Sequence, residues 1–252
     1  MNVLLSLAFY AGALLVVAGL VSIVRPVRML GIRNRGLAVL VLVAAVGLVA
    51  WSLTRPALAY YVTEPDERID TFAPVYQFKE SYSIPVHARA RKVLDAVSRV
   101  TADEIPLYRT LVWLRRGGVK GPESILNPPD GVPLVTVATR TTFIKLAEVP
   151  GRELVLGAVV LAPPGVRLAV ASTPESFQAL SLPGFAKAVI NFSVHPLGDH
   201  WTLVRTETRV FVTDPESRDL FARYWRVILP GSALIRNMWL RAVKTRAEAL
   251  GG

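Results

Sequence analysis

The sequence predicts an α+β domain, an antiparallel sheet closed by one long C-terminal helix, preceded by two transmembrane helices. Three observations predict it. Two uncharged apolar runs, Val3 to Val24 and Gly36 to Thr54, are each long enough to cross a hydrocarbon core of roughly 30 Å as a helix. Ala186 to Val212 alternates apolar and polar residues on either side of a turn at Leu197-Gly198-Asp199, the period of half-buried strands. From Asp214-Pro215-Glu216 the pattern becomes helical, with Leu220, Tyr224, Val227, Ile228, Leu234, Ile235 and Met238 recurring at three- and four-residue spacing.

The apolar runs account for a mean hydropathy of +0.41. Neither keeps the polar stripe that a core helix of this length shows. The loop between them, Arg25 to Arg35, holds four arginines and no acid, so the positive-inside rule predicts it in the cytoplasm. Both termini, and everything after Tyr60, then lie on the extracytoplasmic side of a plasma or inner membrane. Arg33 to Ala59 also reads as a signal peptide, with Ala57-Leu58-Ala59 as a small-residue cleavage site. Either reading exports the same domain. Residues 1–60 are thus expected to form the anchor, 61–71 a charged linker, and 72–250 the folded domain.

The net charge is +10, but five arginines and no acids fall in the first 60 residues. No basic stripe interleaved with aromatics points to nucleic acid. The chain has no cysteine, which excludes disulfides and thiolate metal sites and leaves the exported domain to its core.

Taken in order after the anchor, Val75 to Ser83 alternates as a strand, and Ile84-Pro85 is expected to turn the chain into a helix over Val86 to Val100 with Val93, Leu94 and Val97 inward. Thr101 and Glu104 form a capping pair that opens a helix to Arg116, burying Ile105, Tyr108, Leu111, Val112 and Trp113. Gly117 to Pro133 is a long loop, either a surface excursion or a mobile lid. Leu134 to Glu148 reads as one or two strands, Pro150-Gly151 as a turn, and Glu153 to Val160 as a strand. A further strand is expected near Arg167 to Ala171. The final helix should kink at Pro230 and resume on the same face.

This order of elements resembles the START/Bet v 1-like superfamily, the helix-grip proteins that include polyketide cyclase-like and lipid-transfer members. The opening YQFKESYSIPVHARARKVLDAV and the closing TLVRTETRVFVTDPESRDLFARYW carry the resemblance, which covers about Phe72 to Ala249. It implies a helix-grip fold, a curved antiparallel sheet around the C-terminal helix with a cavity between them. It also implies that an enzyme of the family would place its acid–base groups inside that cavity.

The expected lining of the cavity is apolar: Leu220, Tyr224, Val227 and Ile228 on the final helix, Ile190, Phe192 and Val204 on the strands, and Trp113 and Phe143 at its ends. Tyr224 and Thr206 are the expected orienting hydroxyls. Arg205, Glu207 and Arg209 share a strand face and are read as a solvated ion-pair ladder, with an anionic-headgroup site as the sharper alternative. His195, His200 and Asp199 flank one turn as an imaginable zinc site. Arg236, Arg241, Lys244 and Arg246 make the helix end basic, suiting the dipole or lipid headgroups. No Ser-His-Asp set, phosphate loop or helix-borne metal pair is found, and no catalytic residue or cofactor is assigned. The expected function is binding of an apolar or amphipathic small molecule or lipid, with membrane lipids contacted through the anchor and no protein partner specified. The rivals are a cyclase- or aromatase-like enzyme and a docking module without a ligand.

Overall fold

The computed structural model describes residues 2–25, 27, 31–166 and 172–249. The strand expected at Arg167 to Ala171 lies outside the described residues. The chain divides into two compact units, Met1–Ala57 with Asp219–Pro230, and Leu58–Arg218 with Gly231–Gly252.

In the first unit, α1 (Asn2–Val24) and α2 (Arg35–Thr54) are the two apolar helices. Asn34 caps α2, its side chain accepting from the Leu37 N–H at 2.8 Å. The two helices run antiparallel and close together at two glycines. A Cβ on Gly12 would stand 2.7 Å from a Val49 methyl, and one on Gly19 would stand 3.1 Å from Leu42 Cβ. Small residues at the crossing are how helices associate without a hydrophobic driving force. Only 17% of each apolar window is buried. Leu14, Val17, Leu40 and Val43 are among the large side chains left outside. Both helices are long and apolar enough to cross a membrane.

The second unit is an α+β fold in the helix-grip arrangement. Its five-stranded antiparallel sheet has the order β3 (Phe78–Val86), β7 (Thr202–Val212), β6 (Ala186–Pro196), β5 (Glu153–Leu161), β4 (Ile144–Val149). A small pair, β1 (Tyr60–Tyr61) and β2 (Val75–Tyr76), lies beside it in sequence. β6 and β7 pair along their full length, with Phe192 opposite Thr206 and Ile190 opposite Thr208. One sheet face packs on α4 (Ala90–Arg99) and on the last turns of α8 (Pro215–Ala249), forming the main core. The other face is covered by α3 (Arg68–Phe72) and α7 (Pro174–Ala179), through a second core around Phe177, Val155 and Val189.

Several elements differ from expectation, each for a local reason. Pro85 does not end its strand: β3 is an edge strand, where a residue without an N–H is tolerated, and it pairs through Val86. The helix expected from Glu104 splits into a single 3-10 turn, Ala102–Glu104, and α5 (Tyr108–Arg115). Pro106 forces Ile105 into extended backbone, and Leu107 then takes a left-handed conformation, φ 55°. Leu134 to Thr141 is α6, not a strand. It buries Leu134, Val137 and Ala138, a helical spacing that its valines and threonines disguise. The stretch expected as a linker carries β1 and α3. The long loop is pinned: Tyr108 donates to the Ile125 carbonyl at 2.7 Å, Arg109 to Pro128 at 2.7 Å, and the Gly131 N–H to Asp103 at 2.8 Å. α8 starts where Asp214 receives the Ser217 N–H at 2.9 Å, and it runs on through Pro230.

Candidate functional site

Of the ten residues expected to line a cavity, the structure brings four into one core. Phe143, Ile190, Phe192 and Val204 are all buried in the main cluster. Thr206 is buried beside them and donates to the Asn191 carbonyl at 2.9 Å. Their helical partners are Trp239, Leu240, Ala242, Val243 and Ala247. The Phe192 ring centroid lies 5.2 Å from that of Trp239, so side chains fill this part of the grip.

The expected helical lining is placed differently. Leu220, Tyr224 and Val227 are exposed and Ile228 is half-buried, and all four belong to the Asp219–Pro230 stretch of the first unit. The buried stripe there is Phe221, Ala222, Trp225 and Leu229, one step away on the same helix. Trp113 is exposed as well. Its ring lies over the turn that ends α5, where a Cβ on Gly118 (φ 79°) would meet it at 3.0 Å.

The inner sheet face carries a polar cluster that the sequence reading missed. Arg236, expected at a basic helix end, turns into the grip. It donates to Thr206 Oγ1 at 3.3 Å and to Thr208 Oγ1 at 2.9 Å, and its Nε lies 3.9 Å from Glu80. Ser232 donates to the same carboxylate at 2.7 Å and Tyr82 at 3.4 Å. Burial lowers the Arg236 pKa, opposed by the Glu80 charge. Burial, then the Glu80 charge and hydrogen bond, push the Tyr82 phenol up to about 12, so it stays a donor. The Trp239 indole N–H, buried in the same layer, has no hydrogen-bond partner among the described residues.

The outer face holds a larger network, which replaces the expected solvated ladder. Glu207 is fully buried and receives Lys79 at 2.9 Å and Arg209 Nε at 2.6 Å, with Arg205 as a third cation. Arg209 continues to Asp70 of α3 at 2.7 Å, and its guanidinium lies 4.9 Å above the Tyr76 ring. Glu153 accepts the Arg68 and Ile69 N–H groups at 2.7 and 3.2 Å, and Asn191 bridges it to Glu67. His195 Nε2 meets both Glu67 at 3.0 Å and Ser193 at 3.1 Å. A catalytic triad needs the two partners on different ring nitrogens, so this is not one. The His200 ring instead lies 6.3 Å from that of His87, so the histidines flanking the turn go to separate partners. The network fastens α3 to the sheet.

An open concavity of the second unit lies along the flank of α8. It is a groove of about 830 Å³ between the last five turns of the helix and the Glu104–Pro106 segment. Leu234, Met238, Ala242, Ala249 and Pro106 make it mainly apolar. Glu104 binds Arg246 at 2.8 Å, and that hydrogen bond is the main cause of its lowered pKa. Arg241, also in the wall, is exposed and pairs with no acid among the described residues. Lys244 reaches the Pro85 carbonyl at 3.0 Å and the Glu248 carboxylate at 3.6 Å.

No protein-family model matches the chain, and no curated protein matches it. Among solved structures it is similar to the crystal structure of the Zhui aromatase/cyclase from Streptomyces sp. R1128. The identity is 15% and the TM-score 0.29, over 69% of this chain and 98% of that one. Likeness at that level bears on neither substrate nor reaction.

Proposed function

We propose that the protein is a membrane-anchored domain that binds an amphipathic small molecule or lipid carrying one acid group. The observation that carries the reading is the apolar groove beside α8, with Arg241 in its wall paired to no acid among the described residues. Its volume is that of a ligand site, and its lining suits an acyl or ring system whose affinity comes from apolar burial. Arg246 is neutralised by Glu104, so Arg241 is the cation left to orient the acid. The site lies outside the space between sheet and helix, which Phe192 and Trp239 fill.

A fluorescent fatty acid titrated into the full chain in amphipol tests this. Arg241→Gln should weaken binding about two- to fivefold, the worth of one exposed ion pair. Met238→Trp should fill the groove and abolish binding. Full affinity in Met238→Trp would refute the groove.

A second reading, a cyclase-like enzyme, is favoured by the Tyr82–Glu80–Arg236 cluster and the unpartnered Trp239 N–H on the inner face. It requires Tyr82→Phe, not Met238→Trp, to alter handling of the probe.

In this proposal α1 and α2 cross the membrane, the arginine-rich loop lies inside, and the sheet domain lies on the extracytoplasmic side. A reporter active only outside the cytoplasm, fused after Gly252, should be active. A signal from a cytoplasm-only reporter at that point would reverse the topology.

A further inference from the structure

We infer that the Asp219–Pro230 stretch of α8 is an interfacial membrane helix, seated in the headgroup layer at the outer end of α2 and beside Tyr10 of α1. The inference rests on the reading of those two helices as membrane spans. Three observations within the first unit carry it.

First, this stretch buries one apolar stripe and leaves another in the open. Leu220, Tyr224 and Val227 are 58%, 44% and 47% exposed, at the i, i+4, i+7 spacing of one helix face. A contiguous apolar face left outward on a helix marks a membrane or protein contact. Exposed Asp219 and Arg223 border it on one side, the arrangement of a helix lying at a lipid boundary.

Second, the stretch is fixed at a definite level along the spans. Arg226 donates to the Leu53 carbonyl at 2.9 Å and to the Arg55 carbonyl, the last groups of α2. The Tyr10 hydroxyl of α1 donates to the Val227 carbonyl.

Third, the same level carries an interfacial signature of its own. Trp51 is exposed near the end of α2, with the Arg55 guanidinium 5.0 Å from its ring centroid. Indole and guanidinium at a span end mark the membrane–water boundary. The open stripe thus lies at the level of that boundary, and its occupant is the bilayer surface.

Because the chain has no cysteine, single-site labels report without interference. The full chain is reconstituted in phosphatidylcholine–phosphatidylglycerol vesicles, with an NBD label on Leu220→Cys, Tyr224→Cys, Val227→Cys, Arg223→Cys or Leu14→Cys. Labels at 220, 224 and 227 should show blue-shifted emission. They should be quenched roughly twofold more by a nitroxide near the headgroup than by one deep in the acyl chain, as a helix at the headgroup boundary requires. The label at 223 should stay water-like, and the label at 14 should be quenched most by the deep nitroxide. Water-like emission at 220, 224 and 227 with normal deep quenching at 14 would overturn the inference and leave the anchor standing. Loss of quenching at 14 as well would overturn both.

Discussion

Replacing Glu207 by alanine is expected to destabilise the sheet domain by about 3–5 kcal/mol, because it strips a buried ion network of its central acceptor. Arg209 would keep Asp70, but its Nε and the Lys79 ammonium would face a vacated site in the layer beneath α3. Glu207→Gln keeps the shape and part of the hydrogen bonding, so its loss should be smaller. The network also sets a pH dependence. Burial pushes the Glu207 pKa up, but hydrogen bonds from Lys79 and Arg209 and the charges of Arg209 and Arg205 hold it below its ordinary value. Asp70 is likewise lowered: burial acts upward against the N–H groups of Asp66 and Glu67 and the Arg209 guanidinium. A folded-state pKa below the unfolded one gives stability that is complete above the ordinary carboxylate range. That stability is lost as pH falls through the depressed values. Urea midpoints measured from neutral pH downward should therefore fall steeply for the parent and less steeply for Glu207→Gln. Parallel acid limbs would show that Glu207 does not titrate with unfolding.

Phe192→Ala is expected to cost about 3–5 kcal/mol, the loss typical of a buried phenylalanine in a filled core. Phe192 is 1% exposed, and its ring packs on Trp239 and stands between Leu154 and Thr206 in the sheet. The void would sit between sheet and helix against Trp239, and neither Phe192 nor Trp239 lines the groove. The variant should therefore bind the fatty acid probe with unchanged affinity while its denaturation midpoint drops. A small stability loss with altered probe binding would return the ligand to the space between sheet and helix.

What the sequence made legible follows from which patterns have one reading. β6, β7 and the start of α8 were legible because strict alternation, a tight turn and an Asp-Pro start agree with one another. The two apolar helices were legible from length alone. The lining of the final helix was not, because the helix carries two apolar stripes. Leu220, Tyr224 and Val227 are as periodic as Phe221, Trp225 and Leu229, and only packing decides which set is buried. Arg236 was hidden for a related reason. In sequence it is one of four cations near a helix end, and only the helix phase against β7 turns it toward Thr206 and Thr208. The outer network was half legible: alternation placed Arg205, Glu207 and Arg209 on one face, but not the short α3 that closes over it. The groove drew on residues far apart in the chain, Pro106 and the last turns of α8, which no local pattern connects.

The first compact unit is discontinuous, residues 1–57 and then 219–230, with the whole sheet encoded between the two pieces. Residues 1–57 therefore share a compact unit with a segment encoded after the sheet. A fragment beginning at Leu58 would keep Arg226, 1% exposed, yet lose both carbonyls that receive it, those of Leu53 and Arg55. A fragment ending before Asp219 would lose the Trp239 and Leu240 that complete the core. The two units are interleaved along the chain, so neither truncation yields an intact module.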